Sequence, residues 1–416
     1  MGDMWGRIDD IHEDLVALYQ DLHAHPELSF AEHRTAAEVA RRLDALGLEV
    51  TSGVGGTGVV GVLRNGAGPT VLLRADFDAL PVAERTGLPY ASTARGTGPD
   101  GDDVPVMHAC GHDMHVTCLL GALDLLTGSR ERWSGTVVAV FQPAEEIGAG
   151  ARAMLDDGLL ERFPKPDVCL GQHVFPFPAG SVAWVSGPSM SAADGIKITL
   201  HGRGGHGSQP QSSVDPVVMA AATVLRLQTV VSREVAPLDT AVVTVGSVKA
   251  GTKDNIIPDQ AEIRVNIRSF TEPVRTQVIE AVHRIVRAEA AASGADREPD
   301  FEPLVDFPVL VNDPAATDRT VAALRARLGD EQVRETPPLM GSEDVGLFGT
   351  AADVPTVYWM FGGADPELYA KAKAAGTLNR DVQSNHSPFF APVIEPTLTT
   401  GITAMTTAAL EWLDGA

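Results

Sequence analysis

One change of pattern constrains this chain more than any other. Apolar strands alternate with helical periodicity up to about residue 187, and the alternation then stops. Before the break, residues 10–23 and 31–46 read as amphipathic helices, the second closing on Gly47 as a C′ glycine. "GVVGVLRNGAGPTVLLRADFDAL" (58–80) holds two apolar strands around Asn65-Gly66, a hairpin signal. "VTCLLGALDLLTG" (116–128) is an apolar helix. "GTVVAVFQPAEE" (135–146) is a buried strand running into a polar loop, and "PDVCLGQH" (166–173) is an apolar strand ending on a histidine. Such alternation predicts an α/β sheet.

After the break the order becomes strand 193–202, helix 213–233, strand 240–250, strand 259–270, helix 273–292, strand 299–305. That βαββαβ order is the ferredoxin-like arrangement. A helix at 313–328, the strand "VPTVYWMF" (354–361) and a helix at 395–413 then restore the first pattern. The expected architecture is therefore α/β in two domains. A domain with a central mixed sheet takes residues 1–187 and 304–416, and an inserted βαββαβ domain takes 188–303. A length of 416 residues agrees with more than one core. The stretch 91–105, rich in Gly, Asp and Pro, reads as a loop.

Charge narrows the partners. With 32 basic and 55 acidic residues the net charge is −23, which argues against nucleic acid and anionic membrane surfaces. No window of about 18 apolar residues spans a bilayer, and the N-terminus lacks an apolar h-region. Three cysteines, Cys110, Cys118 and Cys169, imply no disulfide framework. The expected setting is a reducing cytoplasm, with thiols available as ligands.

Open α/β sheets present functional groups at strand ends. Reading those ends picks out Asp76 and Asp78, then Cys110, His112 and Asp113 ahead of the helix at 116. Glu145, Glu146, His173 and His386 complete the set. Thiolate, imidazole and carboxylate are the ligands of Zn²⁺ and neighbouring divalent ions, and the set is large enough for two. Of the paired glutamates, one can bind metal while the other takes a proton from water. A Cys110–His112 nucleophile pair is the chemical rival, but it leaves the other residues without a role. His108 and His115 read as satisfied core histidines, and His23, His25 and His33 as capping or surface groups. In the insert, "HGRGGHGSQP" (201–210) sets His206 among glycines, where an exposed catalytic imidazole and a plain turn remain equal readings. Asn255 and Arg268 are further candidates; Arg268 could bind a substrate carboxylate or sit in a surface ion pair.

The motifs "RADFDALP", "MHACGHDMH", "FQPAEE", "GQHV", "GGHGSQP", "DPV", "NIIP", "MGSEDV" and "NHSP" occur in an order that resembles the M20 metallopeptidase family. They are most similar to its amidohydrolase branch, which includes N-acyl-amino-acid, hippurate and indole-acetyl-amino-acid hydrolases. The resemblance runs from about residue 10 to the C-terminus. It implies a catalytic domain interrupted by a lid domain often used for dimerisation, and so a homodimer. It implies Cys110, His112, Glu146, His173 and His386 as ligands of divalent metal ions, two per subunit, with Zn, Mn, Ni and Co not distinguished. It further implies Glu145 as general base, His206 as the group that steadies the oxyanion, and Asn255 and Arg268 as substrate-facing. Arg74 stands where peptidase branches carry a metal-binding histidine, and arginine cannot ligate a metal. Cys110 takes over that place, as an exposed and oxidisable thiolate. The activity implied is amide hydrolysis of N-acyl amino acids by metal-activated water. The alternatives are a di- or exopeptidase acting on short peptides and a non-catalytic acyl-amino-acid binder.

Overall fold

The computed structural model describes residues 4–98 and 101–415; residues 99–100 of the expected loop and the first three residues lie outside that range. In chain order the first stretch holds α1 (Arg7–Ala24), α2 (His33–Ala45), β1 (Glu49–Val54), β2 (Gly58–Asn65) and β3 (Thr70–Asp76). It continues with α3 (His112–Gly128), β4 (Trp133–Gln142), β5 (Val168–Pro178) and β6 (Val182–Trp184). Then come β7 (Ala192–His201), α4 (Pro216–Thr229), β8 (Ala241–Ala250), β9 (Gln260–Ser269), α5 (Glu272–Ala292) and β10 (Asp300–Phe307). The chain closes with α6 (Pro314–Leu328), β11 (Val333–Glu335), β12 (Thr356–Ala364) and α7 (Ile394–Trp412).

Two compact units form. One takes the chain up to Ser189, Val311–Pro337 and everything from Asp344; the other takes Met190–Leu310 and Pro338–Glu343. The second unit thus reaches further than the expected 188–303. β10 runs on to Phe307, and Ser191 N donates to Leu339 O and Gly341 O, recruiting a segment that has no periodicity to betray it.

The first unit is built on a mixed sheet in the order β1-β2-β4-β3-β5-β12-β6-β11, with Asp414–Gly415 beside β4. β3 runs parallel to β4 and β5, and β5 to β12, while β1 and β2 pair antiparallel, and β6 is antiparallel to β12 but parallel to β11. The hairpin expected at Asn65-Gly66 does not exist. β4 lies between β2 and β3 and pairs with both, antiparallel at Val62–Val138 and parallel at Leu72–Val138. Both strands are buried on both faces and therefore need neighbours on both sides. Asn65 instead donates its amide to Arg130 O and Trp133 O. The real hairpin joins β1 to β2 across Gly55 and Gly56, at φ +65° and +109°. The loop at 91–105 carries a small ribbon of its own, Arg95–Thr97 paired with Asp103–Pro105. α3 is apolar all round and buried along nearly all its length, packed by α1 and α7. Trp133, Trp359, Tyr19 and Phe361 are the large side chains of this core.

The second unit is an antiparallel sheet, β8-β9-β7-β10, carrying α4 and α5. Strict alternation puts Ile196, Ile198 and Leu200 of β7 and Ile263, Val265 and Ile267 of β9 into one core. Asp215 and Thr271 cap the two helices ahead of Pro216 and Pro273, which fit the first turn because it needs no N–H there.

Candidate metal centre

Two strand ends, the middle of a third strand, a helix start and one loop build this centre, all in the first unit. β3 delivers Asp76 and, just beyond, Asp78. Gly111 follows Cys110 and caps α3, so His112 opens the helix rather than preceding it. Gly111 sits at φ +86°, and a Cβ there would lie 2.4 Å from Val174 Cγ1, so only glycine fits. β4 ends at Gln142 and a turn with Ala144 at φ +49° presents Glu145 and Glu146. β5 carries His173 beside Met360 of β12. His386 sits in a loop at φ +68°, its N–H donating to Ala109 O at 2.8 Å, while Asn385 bonds both Cys110 O and Val174 O.

These residues converge. Cys110, Glu146 and His386 each offer a ligand atom within 4.8 Å of the others, and so do His112, Glu145 and Glu146. Glu146 belongs to both groups: its Oε1 is 3.8 Å from His112 Nε2 and its Oε2 is 3.3 Å from His386 Nε2. Cys110 Sγ lies 3.4 Å from His173 Nε2. A further group joins Asp76, His112, His115 and His173.

Orphaned atoms test whether a cation fits. Both ring nitrogens of His112 and Glu146 Oε1 are buried without a hydrogen-bond partner. His112 Nδ1 is 3.3 Å from Asp78 Oδ1, but not in hydrogen-bond geometry. Buried polar atoms are nearly always satisfied, so such a cluster of S, N and O donors fits divalent metal. The electrostatics agree. Burial, reinforced by Glu146, Glu145 and Asp76, raises the Cys110 thiol well above its ordinary range. Burial and Asp78 push Glu146 up to about 8 against the pull of His112. Burial lowers His112, but Asp76, Asp78 and Glu146 outweigh it and raise it to about 10. Anions crowd where their charge is unbalanced, and a cation balances them. The expectation of an exposed Cys110 thiolate is corrected: the side chain is buried.

The supporting histidines divide. His115 is fully committed, Nδ1 to Asp76 Oδ1 at 2.5 Å and Nε2 to the N–H of Val174 at 2.8 Å, so neither nitrogen faces a ligand role. His108 is buried yet neither nitrogen has a partner, which corrects its reading as a satisfied core residue. His23 is not a surface group. It is buried between Asp113 (2.6 Å) and Glu84 (3.1 Å), under Tyr19 and Tyr90. His25 is exposed and bonds Asp21 O, and His33 opens α2 at the surface.

In the second unit, the ribbon Gly205–His206/Ile256–Ile257 brings His206 next to Asn255, whose carbonyl accepts from Gly207 N. His206 is exposed, and its Nδ1 accepts from Ser208 N at 3.1 Å. Arg268 on β9 is half-buried. It donates to Ser342 Oγ (2.7 Å), Met340 O (3.1 Å) and Asn266 Oδ1 (3.1 Å), and so does not form the surface ion pair considered from the sequence.

Two features escaped sequence reasoning. Arg74 is fully buried and bonds Asp76 (2.7 Å), Gln142 (2.9 Å) and Asp344 (3.1 Å), tying β3 and β4 to the loop from "MGSEDV". Asp344 also accepts from Gln142 Nε2 and Ala151 N. Glu32 reaches the Glu145–Glu146 turn from α2. A buried arginine beside two strand-end carboxylates was the available signal for the first; nothing in the spacing signalled the second.

Residues 72–375 match the family described as Peptidase family M20/M25/M40. The chain belongs to that family. Among M20 relatives, a thermostable carboxypeptidase of Saccharolobus solfataricus is 38% identical over 85% of this chain and 87% of its own. A hippurate hydrolase of Campylobacter jejuni is 38% identical over 82% of this chain and 86% of its own. The crystal structure of a Bacillus subtilis dinuclear metal-binding peptidase of family M20 is 30% identical. It covers 97% of this chain and 99% of its own, at TM-score 0.75. As an M20 protein with this donor cluster, the chain is a metal-dependent hydrolase of the amidohydrolase type.

Proposed function

We propose that the chain hydrolyses the amide bond of N-acyl amino acids. The observation that carries this reading is Glu146, a partly buried residue with a buried Oε1 that is shared by two donor groups, while the buried Glu145 stands beside it. Cys110, His112, Glu146, His173 and His386 would hold the metal, as two ions per subunit. Bound divalent metal supplies Lewis acidity and makes water acidic enough to ionise near neutral pH. Glu145 takes the proton from the attacking water and returns it to the leaving amine. His206 donates to the oxyanion, and Arg268 with Asn255 receives the amino-acid carboxylate. The second unit serves as lid and as the contact of a homodimer, and the setting is cytoplasmic; among the described residues no helix is long and apolar enough to cross a membrane.

Arg74 supports this reading over a peptidase. Its guanidinium is consumed by Asp76, Gln142 and Asp344, so the place of the peptidase-branch histidine supplies no ligand. The carboxypeptidase similarity favours a second reading, exopeptidase action on short peptides. A substrate panel decides: acetyl, benzoyl and indole-acetyl amino acids beside dipeptides, each with Mn²⁺, Zn²⁺, Co²⁺ or Ni²⁺. The proposal expects acyl amino acids to be turned over at least tenfold faster than dipeptides. The reverse ranking selects the peptidase, and no turnover by any metal form leaves a binding homologue.

A further inference from the structure

The turn that presents Glu145 and Glu146 has three consecutive N–H groups pointing out of the sheet ladder, and two buried carboxylates take all three. Ala144 N donates to Glu32 Oε1 at 2.9 Å. Glu145 N and Glu146 N donate to the two oxygens of Asp78, each at 3.1 Å. Ala144 has φ +49°, a left-handed conformation that a residue with a Cβ holds only when its surroundings enforce it. Farther along, Gly148 N returns to Glu145 O, and Ala149 N and Gly150 N to Ala144 O, so the turn closes on itself from the other side.

Glu32 occupies the N-cap position of α2 but makes no side-chain cap there. Glu27 does that work instead, its two oxygens accepting from Arg34 N (2.9 Å) and Thr35 N (2.8 Å). The Glu32 carboxylate is thereby released from its own helix. It is fully buried, with the Thr57 hydroxyl donating to its second oxygen and the Ala144 amide to its first. A buried carboxylate is expensive unless its partners are fixed, and here one partner is the strained residue ahead of the paired glutamates.

We propose that Glu32 is a positioning residue for Glu145 and Glu146. Through the Ala144 amide it holds the left-handed turn that separates the two carboxylates into a metal-facing and a water-facing group. The inference rests on the roles given to Glu145 and Glu146 above. It needs reach and an acceptor oxygen at Glu32, not its charge. Gln at this position keeps an acceptor for Ala144 N and offers its amide to Thr57 Oγ1; Asp keeps the charge but is one methylene short.

The test compares Glu32→Ala, Glu32→Asp and Glu32→Gln, with Glu27→Ala as a control that loses the cap of the same helix. Each is stripped of metal and titrated calorimetrically with Mn²⁺ and Zn²⁺, then assayed for kcat and KM. The proposal expects Glu32→Ala and Glu32→Asp to lose about 10–100-fold in metal affinity and in kcat, with KM nearly unchanged. Glu32→Gln recovers most of that loss, and Glu27→Ala lowers the melting temperature without either loss. Asp performing as well as Gln overturns the proposal, and so does Ala retaining metal affinity and kcat. If Glu32→Ala fails to fold, the Asp–Gln ranking decides alone. Glu146→Gln runs in parallel: undiminished metal affinity there sinks the ligand assignment itself, whatever the Glu32 ranking shows.

Discussion

Replacing His23 by Leu tests how the helix that opens with His112 is anchored. His23 lies fully buried on α1, with Nδ1 2.6 Å from Asp113 and Nε2 3.1 Å from Glu84. Burial alone would lower its pKa, but Asp113 and Glu84 outweigh burial and raise it to about 10. The imidazolium form is therefore favoured in the folded state over the ordinary value of 6.5. A folded pKa raised in this way adds stability that is complete below about pH 6.5 and is lost as pH climbs toward 10. The ceiling of that contribution is about 5 kcal/mol, from about 1.36 kcal/mol per pH unit. Removing the ring leaves two buried carboxylates unpaired, a loss of about 3–5 kcal/mol when one member of a buried pair is deleted. Thermal melts of wild type and His23→Leu at pH 6, 8 and 10 should show a large gap at pH 6 that narrows steadily by pH 10. A gap that stays constant across this range would refute the reasoning, because the His23 charge would then contribute nothing.

Arg74→Met should destabilise the first unit by about 3–5 kcal/mol, since Asp76 and Asp344 lose their buried cation; melting curves check it. Arg74→Lys should recover little, because a single ammonium cannot serve Asp76, Gln142 and Asp344 as a planar fork does. Gly111→Ala should cost about 1–3 kcal/mol and lower metal content, because its Cβ would collide with Val174 next to His173; thermal melts and elemental analysis read both effects. Chelation should abolish turnover and lower the melting temperature, and added Mn²⁺ or Zn²⁺ should restore both. Cys110→Ser should reduce or alter metal occupancy in the same elemental analysis.

The α/β frame and the βαββαβ insert were legible because their signals are periodic. Alternating β7 and β9, and the all-apolar α3, announce their neighbours through side-chain pattern alone. Pairing was less legible. Asn65-Gly66 resembles a tight turn, but β2 and β3 are both interior strands, and what comes between them is written seventy residues later. Cys110, His112, Glu146 and His386 were picked out by type and position, and the fold brings them together from a helix start, a strand end and a loop. What surrounds them was not legible. His23 looked like a surface histidine because its partners, Glu84 and Asp113, are 61 and 90 residues away. Glu32 gave no signal of its role, because the Ala144 amide that donates to it lies 112 residues away.

Glu145→Gln tests the central claim most directly. The substitution keeps the size of the side chain and removes its capacity to take a proton. Turnover and metal content should be measured on the same sample, with the acyl amino acid that the panel selects. The account predicts wild-type metal content and a fall in kcat of about 10²–10⁴-fold, the usual worth of a general base. Near-normal turnover with metal in place would contradict it.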